Sequence, residues 1–208
     1  VPNQITLSGA PWFQKERFID FGLYVQDRWT MKRLTLNLGL RFDDYYGWVP
    51  AQDQAATRFL PARSFAKVEG VPSWKDLNPR MGASYDLFGN GRTALKAALG
   101  RYVKKVGLTV TAANNPLLTS VNSTSRAWND TNKNYITDCV LTNFAANGEC
   151  LAIDNQNFGK INPLANRFSD EVLQGFNVRE FNWDLSTEVQ HQFSPNLSMS
   201  AGYYRNWY

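Results

Sequence analysis

The stretch LTLNLGLRFD, residues 34–43, places a large apolar residue at every second position. Between these apolar residues stand Thr35, Asn37, Gly39, Arg41 and Asp43. A period of two residues is typical of a β-strand whose two faces meet different surroundings. The stretch therefore predicts a strand with one apolar and one polar face, and the apolar face meets either a protein core or a lipid bilayer.

The same alternation recurs in five further segments. The six predicted strands lie near residues 20–29, 34–45, 77–87, 93–103, 182–193 and 197–204. Short turns join them into three hairpins, of which the clearest contains Asn90-Gly91, because Asn-Gly is a strong hairpin signal. Two long connections rich in Asn, Pro, Gly and Ser, residues 46–76 and 104–181, separate the hairpins. Such long connections are uncommon inside a compact soluble domain and typical of the outer loops of a membrane barrel.

Composition limits the class of protein. The 208 residues carry a net charge of +4 without a basic run, so we expect no nucleic-acid partner. The chain has no apolar run of about 18 residues, which excludes a transmembrane helix, whereas alternating barrel strands average out in hydropathy. The sequence shows no Ser–His or Cys–His arrangement suited to nucleophilic catalysis, so we expect that the protein is not an enzyme.

The positions of the aromatic residues, which make up 14% of the chain, favour the bilayer. Rings collect at the headgroup level of membrane barrels. The predicted girdles are Trp29, Phe88 and Phe193 at the short-turn end, and Phe21, Phe42, Tyr45, Tyr102, Trp183 and Tyr203 at the long-loop end. Two charged residues, Asp27 and Arg101, fall on the apolar face of their predicted strands. Both lie near strand ends, where a charge facing lipid destabilises a barrel by only about 0–1 kcal/mol.

These patterns predict an all-β fold, an antiparallel up-and-down transmembrane β-barrel segment that covers residues 1–208. About eight strands are needed to close a membrane barrel, so six predict an incomplete barrel with further strands on both sides. The charged residues predicted to face the lumen are Arg28, Arg41, Arg80, Lys96 and Glu188. The alternative is a secreted soluble β-sandwich that binds glycans, in which the strand leucines pack in a closed interior.

The second long connection contains a row of oxygen-bearing side chains. Asp130, Asn132, Asn134 and Asp138 stand at alternate positions, and the carbonyl of Ile136 fills the gap. This spacing is similar to that of an EF-hand loop and predicts a candidate calcium site, the one cofactor we expect. The chain departs from the motif, because Tyr135 and Leu141 replace its Gly and its Glu. The alternative is a loop of Asx-turns without metal.

The two cysteines, Cys139 and Cys150, lie close together directly after this row. They predict one local disulfide, which implies an oxidising compartment. In the chain-entropy model, closing this ring stabilises the folded state by roughly 3 kcal/mol. The alternative is a pair of free thiols.

Two stretches resemble strand–turn–strand segments of TonB-dependent outer-membrane receptors: GLYVQDRWTMKRLTLNLGLRFDDY and NPRMGASYDLFGNGRTALKAALGRYV. The segments WNDTNKNYITDC, NGEC, FNWDLSTEVQHQF and AGYYRNWY are similar to the Oar-like branch of that family. The resemblance implies a barrel of about 22 strands with a plug in its lumen, placed in the lipid of a bacterial outer membrane. It also implies the TonB complex as a partner and energy-coupled uptake of a scarce small ligand such as a siderophore, a glycan or a peptide. The alternative within the branch is a surface, adhesion or protein-export role without import.

Overall fold

The computed structural model describes residues 3–208, which fold into two compact units. The sheet unit consists of Ile19–Tyr46, Pro72–Gly107 and Ser169–Tyr208. The loop unit consists of the residues up to Phe18 together with Gly47–Val71 and Leu108–Phe168. The sequence predicted one barrel domain over residues 1–208, and this stays a prediction; segments of the long connections contribute to the loop unit.

Eleven strands and two short helices are found within residues 3–208. In chain order they are β1 Gln4–Ser8, β2 Arg17–Met31, β3 Leu34–Trp48, β4 Gln52–Gln54, β5 Arg63–Phe65, β6 Ser73–Asp86, β7 Thr93–Val103, α1 Thr109–Ala113, β8 Ser123–Ala127, α2 Asp170–Leu173, β9 Gln174–Phe176, β10 Phe181–Ser194 and β11 Leu197–Trp207. In this described part of the chain, neither helix is long and apolar enough to cross a membrane.

Six long strands form the main sheet in the order β11-β10-β7-β6-β3-β2. The pairs β3–β6, β6–β7, β7–β10 and β10–β11 are all antiparallel. Strands β2 and β11 lie at opposite edges, so the sheet is not closed. This confirms the predicted antiparallel up-and-down architecture of an incomplete barrel. The observed strands are longer than expected at the long-loop end, where β3 continues to Trp48 and β6 begins at Ser73.

Local chemistry explains the turn between β6 and β7, which spans residues 87–92. Gly89 and Gly91 both adopt φ = 71°, a left-handed conformation that glycine enters without a steric penalty. The carboxylate of Asp86 accepts hydrogen bonds from the backbone N–H groups of these two glycines at 3.0 and 2.8 Å. Asp86 and the glycines thus fix the turn between β6 and β7, as the Asn-Gly signal predicted.

The apolar face of the sheet is open. Leu38 and Leu95 are each 38% exposed, and Val25 on the edge strand is 67% exposed. In a soluble sandwich such side chains are buried against a second sheet. The soluble-sandwich alternative is therefore wrong for this sheet, and its apolar face has the form of a surface that contacts lipid.

The loop unit has a core and secondary structure of its own. Strands β1 and β8 pair antiparallel, and β4 pairs with β5. The buried core consists of Leu7, Leu60, Ile153 and Phe158, with Phe144 packed against it. The short strands of this unit could not be predicted, because strands of three to five residues are too short to show a period in sequence.

A buried arginine satisfies the irregular backbone of this unit. Arg126 is fully buried and donates from Nε, Nη1 and Nη2 to the carbonyl oxygens of Leu151, Asn143 and Ala145, at 2.7, 2.9 and 3.0 Å. Burial lowers the pKa of its guanidinium from the ordinary value. The charged side chain replaces the hydrogen bonds that a regular ladder provides, since a buried carbonyl left unpaired is costly.

Candidate functional site

The polar face of the main sheet lines a trough of about 1330 Å³. Because the strands are antiparallel and in register, polar-face residues form rows across the sheet. One row is Gly39, Arg80, Gly100, Asp184 and Asn206. The next is Asn37, Gly82, Ala98, Ser186 and Tyr204. Both rows line the trough, so the sheet is concave on its polar side.

Small residues surround the central cation of the trough. Arg80 lies between Gly39 and Gly100 on the neighbouring strands, and Gly82 follows on its own strand. Its guanidinium carbon lies 4.6 Å from the centroid of the Tyr102 ring, a cation–π distance. The glycines on both neighbouring strands place no side chain of their own beside the guanidinium, and Arg80 is exposed.

The trough carries an excess of positive charge. Within residues 3–208, no carboxylate lies at ion-pair distance from Arg28 or Arg80. Arg41 is paired, since its Nε donates to both carboxylate oxygens of Asp43 at 2.8 and 3.1 Å. The one carboxylate in the two central rows, Asp184, accepts a hydrogen bond from Asn182. An accessible anion would therefore find two uncompensated guanidinium groups here.

The five residues predicted to face the lumen lie in two places. Arg28, Arg41 and Arg80 line the trough. Lys96 and Glu188 are cross-strand partners nearer the short turns, with 3.6 Å between Nζ and Oε1. Their side chains are 43% and 28% exposed, so this pair contributes little to stability. That these five residues face an enclosed lumen stays a prediction.

Two tyrosines of the predicted outward girdle belong to the polar face instead. Tyr45 is fully buried, packs 5.8 Å from the Trp74 ring and donates to the carbonyl of Gly107 at 2.7 Å. Tyr102 lies over Gly100 and under the Arg80 guanidinium. The error arose because both rings were assigned by nearness to a strand end, whereas each stands one residue off the apolar parity.

The structure shows how two charges on the apolar parity are accommodated. Asp27 accepts hydrogen bonds from its neighbour Trp29, through indole Nε1, and from the backbone N–H of Arg28. Arg101 lies near the end of β7, as the sequence predicted. It is only 4% exposed and donates from Nη1 to Asn78 Oδ1 at 2.8 Å. Strand β6 pairs with β7 only as far as Arg80, and Arg101 fills the space beyond.

Sequence reasoning missed a buried charge cluster at the long-loop end of the polar face. Asp76 is fully buried between Arg179, whose Nε donates to it at 2.8 Å, and Arg101, whose Nη2 lies 3.7 Å away. Asn78 joins this group to Asp43 through a hydrogen bond of 2.7 Å. The only signal in the sequence was the shared parity of Asp43 and Asp76. Arg179 lies outside every periodic segment and could not be placed.

The candidate calcium loop is tightly coiled. Asp130 accepts from the backbone N–H groups of Asn134 and Tyr135, at 3.1 and 3.0 Å. Asp138 Oδ2 accepts from the side-chain amides of Asn132 and Asn134, at 2.7 and 3.0 Å. In the described chain no three His, Cys, Asp or Glu residues are grouped to hold a metal, so a cation would need amide and carbonyl oxygens as well.

The predicted disulfide is confirmed, and a carboxylate lies beside it. Cys139 and Cys150 are bonded, with their Cα atoms 5.9 Å apart. Glu149 accepts from Thr131 Oγ1 at 2.6 Å, from the Thr131 N–H at 2.8 Å and from Trp128 Nε1 at 3.1 Å. These donors, the Thr131 hydroxyl foremost, lower the pKa of Glu149 to about 2. Glu149 therefore ties the first residues of the candidate calcium loop to the disulfide.

The comparisons with known proteins agree with this geometry. A family model described as an outer membrane beta barrel domain matches residues 2–206. No curated protein and no solved structure matches the chain.

We predict that acid weakens the loop unit through Glu149. The pKa of Glu149 in the folded protein, about 2, lies below the ordinary value of 4.5. The ionised carboxylate therefore stabilises the fold fully above pH 4.5, and this contribution is lost as the pH falls towards 2. Thr131→Val should raise this pKa, because it removes the leading donor. Carbon NMR of the Glu149 carboxyl in the intact protein measures it. Asp154→Asn, at an exposed site of the same unit, is the control. A wild-type midpoint near 4.5 would contradict the prediction.

The calcium hypothesis also stays a prediction. We expect the intact protein to bind Ca²⁺ in isothermal titration and Asp138→Asn to weaken binding at least about tenfold, since affinity follows the number of charged ligands. Binding requires the Asn132 and Asn134 amides to turn their oxygens inward, because they now direct nitrogen at Asp138. Asp154→Asn again serves as the control. If the heats of Ca²⁺ addition are equal with and without protein, the calcium hypothesis is refuted.

Proposed function

The chain belongs to the outer-membrane β-barrel family, and we propose that it forms part of the wall of a TonB-dependent transporter that takes up a scarce ligand. The family places the protein in a bacterial outer membrane, with lipid around the barrel. The proposal goes further and assigns energy-coupled import of a siderophore, glycan or peptide, with the TonB complex as the partner.

The observation that carries this proposal is the polar trough. A wall built only to anchor a protein needs an apolar outer face and places no demand on the inner one. Here the inner face is concave, carries the unpaired cations Arg28 and Arg80, and exposes the rings of Tyr24 and Tyr204. Accessible charge and aromatic rings on a concave wall are the features of a ligand path.

The assignment of faces gives a test that uses two adjacent residues. Leu38→Arg puts a charge in the middle of the apolar face, and we expect it to lower the free energy of unfolding by about 2–4 kcal/mol. Asn37→Arg puts the same charge on the polar face and should change it by less than about 1 kcal/mol. Urea unfolding of the intact protein in lipid vesicles measures both. Equal losses, or a larger loss for Asn37→Arg, would show that the faces are assigned the wrong way round.

Import is tested on the intact protein, first in detergent and then in its own outer membrane. The purified periplasmic domain of TonB is the first probe, and we expect it to bind the detergent-solubilised protein saturably. Radiolabelled ferric siderophores, maltodextrins and oligopeptides are the second, and uptake of one class should cease when a protonophore removes the proton gradient. Absence of TonB binding together with gradient-independent uptake would refute energy-coupled import and leave the barrel assignment intact.

The loop unit favours a second candidate, an Oar-like surface, adhesion or protein-export role without import. Its buried core, its disulfide and the Glu149 contacts build a preformed surface, whereas loops that only connect strands need none of these. Under this role, reducing Cys139–Cys150 abolishes surface attachment or secretion of a cargo protein, and TonB does not bind. Under import, TonB binds whether or not the disulfide is reduced.

A further inference from the structure

The connection that precedes β10, residues 169–180, is folded onto the long-loop end of the sheet. We call this segment the strap. It contains the single-turn helix α2 and the short strand β9. Strand β9 pairs in parallel with the start of β6, with Ser73 opposite Gln174 and Lys75 opposite Phe176. The strap thus occupies the edge of β6 that β7 leaves vacant beyond Arg80.

Side chains complete the backbone pairing at this edge. The N–H of Leu77 donates to Asn177 Oδ1 at 2.8 Å, and the carbonyl of Leu77 accepts from Arg101 Nη1 at 3.2 Å. Asn177 in turn donates from its N–H to the carbonyl of Lys75 at 2.7 Å. One strap residue and one β7 residue therefore substitute for the strand that is missing beside Leu77.

The strap reaches over the polar face. Trp74 and Asp76 stand on the polar parity of β6, in register with Tyr45 and Asp43 of β3. Trp74 donates from Nε1 to the carbonyl of Val172 at 2.8 Å, and Asp76 accepts from Arg179 Nε at 2.8 Å. The Arg179 guanidinium also lies about 6 Å from the centroids of the Tyr45 and Trp74 rings. Both ends of the strap are thus held on the trough side of the sheet.

Little apolar burial holds the strap in this position. Leu173 is its buried anchor, at 3% exposure, whereas Val172, Phe176 and Val178 are 50%, 57% and 42% exposed. The Arg179–Asp76 pair is by contrast almost fully enclosed, with side-chain exposures of 4% and 0%. Removing one partner of a buried pair leaves an uncompensated charge, which is far more disruptive than losing an exposed contact.

We propose that the strap is a gate at the long-loop end of the trough, latched by the buried Arg179–Asp76 ion pair. With the latch closed, the strap narrows the approach to the rows that contain Arg80 and Ser186. With the latch open, it moves off the polar face and widens that approach. The gate rests on the barrel fold, which the family shows, and does not depend on energy-coupled import.

Hydrogen exchange of the intact protein in lipid tests the latch. Arg179→Gln should raise the exchange rate of the Asn177 amide at least about tenfold, because that amide is held by the docked strap. The Leu99 amide, within the β6–β7 and β7–β10 pairing, is the internal reference. Lys104→Gln is the matched control, since it breaks the exposed Lys104–Glu180 pair at the same end of the strap. Unchanged exchange at Asn177 in Arg179→Gln would overturn the latch.

Thiol labelling tests the gate. A cysteine introduced at Ser186, in the trough, is labelled from the long-loop side with a small maleimide and with a bulky polyethylene-glycol maleimide. Arg179→Gln should raise the rate with the bulky reagent several-fold and leave the rate with the small reagent nearly unchanged, whereas Lys104→Gln should alter neither. Faster strap exchange without faster bulky labelling would overturn the gate, because the strap would then only brace the sheet.

A variant with the strap bonded to β6 tests whether Arg179→Gln acts through the strap or by destabilising the whole sheet. Cysteines at Lys75 and Phe176, which are exposed register partners, allow the strap to be bonded to β6. In the Arg179→Gln background with the cysteine at Ser186, the oxidised form should show the slow bulky labelling of the wild type. The matched variant with Lys75→Ser and Phe176→Ser, which cannot be bonded, should show the fast labelling. Equal rates in the two variants would show that the trough opens by some route other than the strap, and would refute the gate.

Discussion

Continuous antiparallel register is the constraint on which the sheet depends. Side chains of a strand alternate between two faces, so a slip of one residue between neighbours would exchange the apolar and polar faces of one strand. Pairing is regular between β3 and β6, where Leu34 lies opposite Tyr85, and between β6 and β7, where Met81 lies opposite Leu99. It is also regular between β7 and β10, where Leu99 lies opposite Leu185. The irregularity in the last pair comes only at Gln192 and Ser194, beside the turn. Apolar residues of these five strands therefore share one surface, and the rows of the trough lie on the other.

Where this register ends, buried charge replaces it. Beyond Arg80 the edge of β6 has no partner in β7, and its backbone groups would be left unpaired. Arg101 and Asn177 satisfy the two groups of Leu77, and Asp76 neutralises part of the charge that Arg101 and Arg179 bring with them. Asp76 Oδ1 and Arg101 Nη2 still lack hydrogen bonds. The latch of the proposed gate therefore lies in a cluster whose hydrogen-bonding capacity is not completely filled.

The sheet could be predicted from sequence because its signal is local and repeated. Alternation in LTLNLGLRFD and the Asn90-Gly91 turn depend only on residues that are near one another in the chain, and both predictions were confirmed. The charge cluster depends on contacts such as Arg179 with Asp76, which are 103 residues apart. No pattern near Arg179 indicates that partner. Tyr45 and Tyr102 were misplaced for a related reason, since aromatic type suggested a girdle while parity, the stronger constraint, assigned them to the trough.

The strands of the loop unit could not be predicted for a different physical reason. A composition rich in Asn, Gly and Pro favours turns over ladders, so the sequence predicts long loops there. In the folded unit, however, polar side chains supply the hydrogen bonds that ladders would have supplied. The Gln52 side chain donates to Asn115 Oδ1 at 2.9 Å and accepts from the N–H of Lys15 at 2.8 Å. The Arg126 guanidinium donates to three backbone carbonyl groups. Because these amides and this guanidinium are buried with their partners, replacing one by an apolar residue leaves donors or acceptors unsatisfied. The same polar residues that obscure any period in the sequence of this unit therefore satisfy its buried hydrogen-bonding groups.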